Sequence, residues 1–101
     1  MIIKEAIAEL EFKDNPVAKL MHTGVAFKII ILAFKKGMAL KEHKTSVPTK
    51  LTVLTGNLKY SSENLIKTID TYEELEIPLE EVHSIEAIED SLCLLIQGYR
   101  N

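Results

Sequence analysis

Hydrophobic and polar residues alternate over short distances along this chain, which is typical of β-strands rather than long helices. Short breaks, acidic or rich in Gly, Asn, Asp and Ser, separate these segments. Strands are predicted at residues 27–34, 51–55, 58–60, 65–69, 75–77, 82–89 and 92–97. Many short strands with almost no helix between them favour an all-β fold, an antiparallel β-barrel or double-sheet jelly roll.

Two segments allow more than one interpretation. Residues 3–10 place Ile3, Ile7 and Leu10 on one helical face, which predicts a short N-terminal helix, although strand alternation fits almost as well. Residues 27–34 are rich in isoleucine and too short for a typical helix. We therefore expect a strand that is either buried on both faces or part of a dimer contact.

The pair Gly56-Asn57 stands between two predicted strands. Both residue types tolerate positive φ, and two-residue hairpin turns require positive φ. The sequence therefore predicts a tight hairpin at this point. A further turn is expected at residues 61–64.

The composition favours one globular domain spanning residues 1–101. The chain is 47% hydrophobic and 27% charged, and its longest apolar run, residues 29–34, is far shorter than a membrane span. Charged residues from Lys4 onward interrupt any secretory signal, so we expect a cytoplasmic protein without membrane association. Cys93 has no cysteine partner in the chain and lies in an apolar segment, which indicates a buried small hydrophobic residue.

Charge is unevenly distributed along the chain. Residues 1–67 carry eleven lysines and six acidic residues, whereas residues 68–101 carry one arginine and nine acidic residues. The lysines are spread singly, without an arginine cluster, so nucleic acid is not an expected partner. The charges either cover solvated outer faces of strands or place lysine-rich and acid-rich strands side by side, within one chain or across a dimer interface.

Two spaced groups of residues carry the candidate chemistry. In the first, Gly37 is followed after five residues by His43 and later by Gly56; in the second, Pro78 precedes His83. This spacing resembles the paired motifs of the cupins, which are small β-barrel proteins. The resemblance covers about residues 37–87 and implies a small single-domain cupin that pairs as a homodimer.

Several positions depart from the cupin pattern. Thr45 stands at the second histidine of the first motif, Thr49 at its glutamate, Tyr72 and Glu80 at glycines, and Ala87 at an asparagine. If the glutamate gap is counted one residue longer, Lys50 stands there instead. Only His43 and His83 remain of the four metal ligands that the resemblance implies. It therefore implies no metal, or a weakly bound divalent transition metal such as nickel, zinc, manganese or iron.

The directions of the two histidines can also be predicted. Over residues 83–87, alternation puts His83 on the apolar face and directs Glu86 away from it, which is the pattern of an inward-facing histidine. In the first motif, strict alternation would put Lys41 on the face of His43. Either a β-bulge before His43 or a lysine at the pocket mouth resolves this conflict.

The predicted pocket consists of the two histidines and the hydroxyl-bearing residues nearest to them in the motifs. Its members are His43, His83, Thr45, Thr49 and Tyr60. The threonines are expected to offer hydroxyl partners to the imidazoles, and Tyr60 either lines the barrel or packs in it. His22 is expected in a turn or on the surface, and the acidic residues Glu73, Glu74, Glu80 and Glu81 are expected to be solvated loop charges.

Three functions fit these observations. The first is a module that binds a small polar ligand around His43 and His83 with little or no metal. The second, implied by the cupin resemblance, is a metal-dependent isomerase or dioxygenase that completes its metal shell with water or substrate. The third is a structural interaction protein whose barrel mouth is closed by side chains. Whether the protein is an enzyme stays open at this stage.

Overall fold

A computed structural model describes residues 1–98 of the chain. The described residues form one helix and nine strands. The helix α1 spans Ile2–Leu10, and the strands are β1 Val17–Thr23, β2 Phe27–Phe34, β3 Ala39–His43, β4 Thr49–Thr55, β5 Asn57–Ser62, β6 Ile66–Asp70, β7 Glu74–Ile77, β8 His83–Ala87 and β9 Ser91–Gly98.

The strands form two antiparallel sheets that face each other across one apolar core. One sheet has the strand order β1-β2-β9-β4-β7, and the other has the order β3-β8-β5-β6. Inward side chains of both sheets fill the space between them, among them Leu51 and Cys93 from the first sheet and Leu58 and Ile85 from the second. This arrangement confirms the predicted all-β jelly roll with a short N-terminal helix.

Strand β2 is buried on both of its faces over its second half. Leu32 and Phe34 face the core between the sheets, whereas Ile31 and Ala33 pack under the apolar side of α1. The helix itself therefore forms because it covers the outer face of the five-stranded sheet, rather than from propensity alone. The apolar residues at 31–34 are thus buried within one chain and need no dimer contact.

The predicted hairpin at Gly56-Asn57 is wrong. Strand β4 lies in the five-stranded sheet and β5 in the four-stranded sheet, so the chain crosses between sheets at this point. Gly56 has a φ of +99°, and a side chain here would collide with Asp90 and Ser91. The hydroxyl of Thr71 holds the crossing by accepting from the Gly56 N–H at 3.1 Å and donating to the Gly56 carbonyl at 3.0 Å.

Strand β1 was not predicted from the sequence. It forms an edge of the five-stranded sheet, and Val17 is its only buried residue, so it lacks a clear apolar alternation. Its register with β2 shifts between Leu20 and His22. His22 lies exposed at this shift.

Lysine-rich and acid-rich strands lie side by side within the chain. Lys50 of β4 is the direct cross-strand partner of Glu76 on β7, and its Nζ lies 3.6 Å from a carboxylate oxygen of Glu74. Exposed ion pairs of this kind stabilise a fold only slightly. Their complementary charge nevertheless favours this strand pairing over others.

Two further features of the described residues concern the thiol of Cys93 and the length of the helix. Cys93 is fully buried at the centre of the core, and this burial raises the pKa of its thiol to about 12. Within residues 1–98, no helix has the length and apolar character required to cross a lipid bilayer.

Within residues 1–98, two non-glycine residues have positive φ, and both stand where the cupin pattern has glycine. Tyr72 has a φ of 68° and Glu80 a φ of 59°. The backbone thus keeps the left-handed conformation at both positions although the glycines are absent. L side chains are disfavoured in this conformation. The Glu80 N–H donates to the Thr45 carbonyl at 2.9 Å, so this turn connects the segment before β8 to the segment after β3.

The left-handed backbone at Tyr72 leads to a stability prediction. The Tyr72 side chain is 86% exposed, so little packing is lost when it is removed. We expect Tyr72→Gly to raise the free energy of unfolding by about 0.5–1 kcal/mol, because glycine adopts positive φ without strain. Tyr72→Ala is the matched control, since it removes the side chain but keeps the penalty. Urea denaturation measures both variants, and equal stability of the two would contradict the prediction.

Candidate functional site

The pairing of β3 with β8 brings His43 and His83 together. The two residues are direct cross-strand partners, and their ring centroids lie 4.4 Å apart with an interplanar angle of 57°. The register of this pair shifts between Leu40 and His43. A bulge before His43 therefore resolves the conflict in side-chain direction that strict alternation would create.

The two imidazoles differ in burial. His83 is 1% exposed and also stacks on Tyr60, with ring centroids 5.0 Å apart and an angle of 24°. His43 lies on the solvent side of the pair and is exposed. The His83 ring thus contacts an aromatic ring of the core and the outer imidazole at the rim of the sheet.

Both imidazoles are oriented by the same local hydrogen bond. Nδ1 of His43 donates to the Lys41 carbonyl oxygen at 2.9 Å, and Nδ1 of His83 donates to the Glu81 carbonyl oxygen at 2.9 Å. A carbonyl oxygen only accepts, so in each neutral ring the hydrogen is on Nδ1 and Nε2 has the free lone pair. The pair therefore presents two hydrogen-bond acceptors.

The Nε2 atom of His83 is buried without a hydrogen-bond partner among residues 1–98. An unsatisfied buried acceptor of this kind costs about 1–3 kcal/mol. Burial lowers the pKa of His83 below its usual value, and the nearby His43 lowers it further, against the opposing effect of the bond to Glu81. His83 is therefore held in its neutral form at neutral pH, with the lone pair available.

Tyr60 and Glu81 form a second polar contact beside His83. The Tyr60 hydroxyl donates to a carboxylate oxygen of Glu81 at 2.8 Å. Burial raises the pKa of Tyr60 to about 12, and the bond to Glu81 acts in the same direction. Hydrogen bonds from Ser62 and Tyr60 lower the pKa of Glu81, so this carboxylate is ionised.

Glu81 was missed as a site residue because the sequence shows only an acidic loop segment around it. It is half-buried, and its main-chain and side-chain oxygens contact two residues of the site, His83 and Tyr60. Its position two residues before His83 was the only available signal. The contact with Tyr60 spans 21 residues and depends on the pairing of β5 with β8.

Thr45 and Thr49 make hydrogen bonds that do not involve the imidazoles. Within residues 1–98, their hydroxyl oxygens lie 3.1 Å apart, and both hydroxyls donate to the Val47 carbonyl oxygen, at 3.2 and 2.9 Å. Gln97 also donates to the Thr49 hydroxyl at 3.3 Å. The structure thus brings His43, His83 and Tyr60 into one cluster, while the two threonines stabilise the adjacent loop.

An open cleft of about 690 Å³ lies beside His83. The ends of β3 and β5, the turn between β5 and β6, the loop before β8 and the start of β8 form its walls. Its lining consists of Glu42, Ser61, Ser62, Glu63, Asn64, Leu79, Glu80, Glu81, Val82, His83 and Ser84. Among residues 1–98, this lining has four glutamates and no lysine or arginine, although Lys44 lies 3.6 Å from Glu80.

The described residues do not form a complete metal centre. Within residues 1–98, no three His, Cys, Asp or Glu side chains are grouped so that they could hold a metal ion. The imidazole pair supplies two nitrogen donors, whereas catalytic zinc sites usually have three protein ligands. The donor set therefore does not fit a tightly held transition metal.

Comparison with known proteins identifies the fold. No protein-family model matches the sequence, and no curated protein matches it. Among solved structures, an RmlC-like cupin protein from Desulfovibrio desulfuricans is 24% identical, with a TM-score of 0.76 and coverage of 86% of both chains. KdgF from a Halomonas species is 16% identical, with a TM-score of 0.78 and coverage of 88% of this chain and 84% of that one.

A third similar structure extends over nearly the whole chain. A cupin-2 domain containing protein from Shewanella frigidimarina is 13% identical, with a TM-score of 0.76 and coverage of 96% of this chain and 92% of that one. The chain therefore has the fold of a small cupin domain. Identities this low show the fold and leave the chemistry to the residues of this chain.

The burial of His83 predicts how stability depends on pH. The unfolded chain takes up a proton on this residue at about pH 6.5, whereas the folded protein takes it up only at a lower pH. This group therefore makes no difference to stability well above pH 6.5. The unfolding free energy then falls as the pH is lowered from about 6.5 to the pKa of the folded state.

We expect His83→Gln to remove part of this loss of stability. Urea denaturation at steps between pH 8 and pH 5, roughly spanning the titration of histidine, measures the slope. His22→Gln is the control, because His22 is exposed on β1. Parallel curves for wild type and His83→Gln would show that the burial of His83 does not govern its protonation.

Proposed function

We propose that this small cupin-fold protein binds a small polar ligand at the mouth of its barrel, with His43 and His83 as hydrogen-bonding groups and little or no metal. The observation that carries the proposal is the buried Nε2 of His83, which has no partner within the described residues. Native proteins rarely leave such an atom unsatisfied without a functional reason. A ligand that donates to this atom would remove the penalty.

The shape of the site supports binding at the mouth rather than deep in the barrel. Large side chains such as Tyr60, Phe34 and Leu51 fill the space between the sheets. The open cleft lies at the rim, with His83 and Glu81 in its wall. An open cleft beside His83 argues against the alternative of a barrel mouth closed by side chains. The proposal includes the cytoplasmic location expected from the sequence.

A metal-dependent enzyme of the isomerase or dioxygenase type is the second candidate. One observation favours it: both imidazoles donate from Nδ1 to a carbonyl oxygen, an arrangement common among metal-binding histidines. When bound at the two Nε2 atoms, a divalent metal would supply Lewis-acid chemistry. The missing third protein ligand is the reason that this function comes second.

The two candidates differ in their response to metals and to small molecules. Protein stripped with chelator should keep its melting temperature when nickel, zinc, manganese or iron is added. NMR of the metal-free protein should show a shift of the His83 ring signals with at least one of four probes: glucose, 1,4-butanediol, 1,4-diaminobutane and succinate. His83→Gln should weaken binding of that probe at least tenfold, because glutamine lacks the ring that stacks on Tyr60 and fixes the acceptor atom in place, and His22→Gln should not.

Two results would contradict the ligand-binding proposal. One is a melting temperature that rises with each equivalent of metal, which would favour the enzyme. The other is the absence of any shift of the His83 signals with all four probes. A probe that binds wild type and His83→Gln equally would place its binding site elsewhere on the protein.

We also propose that the protein is a homodimer that pairs through the turn end of the β1–β2 hairpin. Apolar side chains are exposed there: Leu20 is 54% exposed, Met21 43% and Val25 101%. Strand β1 is an edge strand of its sheet and can pair with another strand. Burying these side chains against a second copy would remove an apolar surface from water.

Sedimentation tests this dimer directly. We expect a mass near twice the 11.4 kDa of one chain at micromolar concentrations. Leu20→Lys should weaken the dimer at least tenfold, because it puts a charge into the contact. Ile66→Lys is the matched control, since Ile66 is 69% exposed on an edge strand of the other sheet. A monomer across the micromolar range would remove the proposal.

A further inference from the structure

We infer that the ligand is an alkylammonium compound, which the site holds by its protonated amine and its alkyl chain. This inference rests on the proposed ligand-binding function and names the chemical class that the site selects. Three independent features of the site lead to it: the hydrogen-bonding character of the histidines, the charge of the cleft and its apolar wall.

The histidine pair selects a hydrogen-bond donor. Both Nδ1 atoms are occupied by the Lys41 and Glu81 carbonyl oxygens, so both Nε2 atoms can only accept while the rings are neutral. A carboxylate has no hydrogen to donate at neutral pH and would meet these lone pairs unfavourably. Hydroxyl and ammonium groups both donate, and an ammonium group has three hydrogens to give.

The charge of the cleft selects the ammonium group over the hydroxyl. Four glutamates line it, and within the part of the chain that the structure describes only Glu80 forms a salt bridge, with Lys44 at 3.6 Å. The carboxylate of Glu81 is held on the site side by the Tyr60 hydroxyl at 2.8 Å and the Asn64 amide at 3.4 Å. Acidic residues alone would indicate only a solvated surface. Here they share the cleft with His83, whose buried Nε2 has no partner within residues 1–98.

The cleft also has an apolar wall. Leu79 and Val82 lie on the loop before β8, line the cleft and are 54% and 49% exposed. Side chains of this type on a free surface favour contact with a hydrocarbon chain. A molecule with an alkyl chain and a terminal ammonium group can contact the apolar wall, pair with the carboxylates and donate hydrogen bonds to the imidazole lone pairs. A simple metal cation or a sugar can make only some of these three kinds of contact.

Three four-carbon probes of similar length test the inference. At pH 7.5 and low salt, 1,4-diaminobutane should bind metal-free protein at least tenfold more tightly than 1,4-butanediol or succinate, as measured by calorimetry. The affinity for the diamine should fall as salt is added, because surface charges are screened.

Charge variants locate the binding site. Glu63→Gln and Glu81→Gln should each weaken diamine binding about threefold to tenfold, since each removes one negative charge from the cleft. Glu63 is exposed in a turn, so its variant is expected to fold normally. Glu86→Gln is the matched control, because Glu86 lies exposed on β8 and does not line the cleft.

The outcomes separate this inference from the proposed function. The ammonium class is wrong if the diol binds as tightly as the diamine, or if succinate binds more tightly. If His83→Gln also abolishes that binding, the proposed ligand-binding function still stands. If diamine binding is unchanged in Glu63→Gln and Glu81→Gln, the class is also wrong. If none of the three probes binds, the inference is overturned, and glucose or metal binding then decides the proposed function.

Discussion

The site depends on the pairing of β3 with β8. These strands place His43 and His83 opposite each other, although the residues are forty positions apart in the chain. A shift of one residue in this register would turn the His43 side chain to the other face of the sheet. The bulge before His43 therefore positions the candidate site, since it combines the pairing of the two histidines with the side-chain direction that brings their rings together.

Features that follow from spacing and alternation were predictable from the sequence. The motif spacing indicated that the two histidines would meet, and alternation over residues 83–87 indicated that His83 would face inward, as it does. The fold could be predicted for the same reason, because strand alternation is a local property. Gly56 shows the limit of local signals. A glycine with positive φ suits a hairpin and a crossing between sheets equally well, and the choice depends on distant residues such as Thr71 and Ser91.

The parts of the site that were not predictable depend on contacts between distant residues. Glu81 is an ordinary acidic loop residue until β5 places the Tyr60 hydroxyl beside its carboxylate. Thr45 and Thr49 stand at motif positions, yet the loop that follows β3 directs their hydroxyls to Val47. Strand β1 is an exposed edge with little apolar alternation, so it has hardly any local signal. Nearest neighbours in the motif are thus a poor guide to nearest neighbours in space.

The lone thiol of Cys93 gives the protein an internal reporter of its own opening. It lies on β9, the central strand of the five-stranded sheet, between β2 and β4. Its high pKa leaves almost no thiolate at physiological pH, and its burial keeps reagents out. A thiol-specific dye would therefore modify the chain only when the two sheets separate. The rate of labelling would then measure the frequency of this opening.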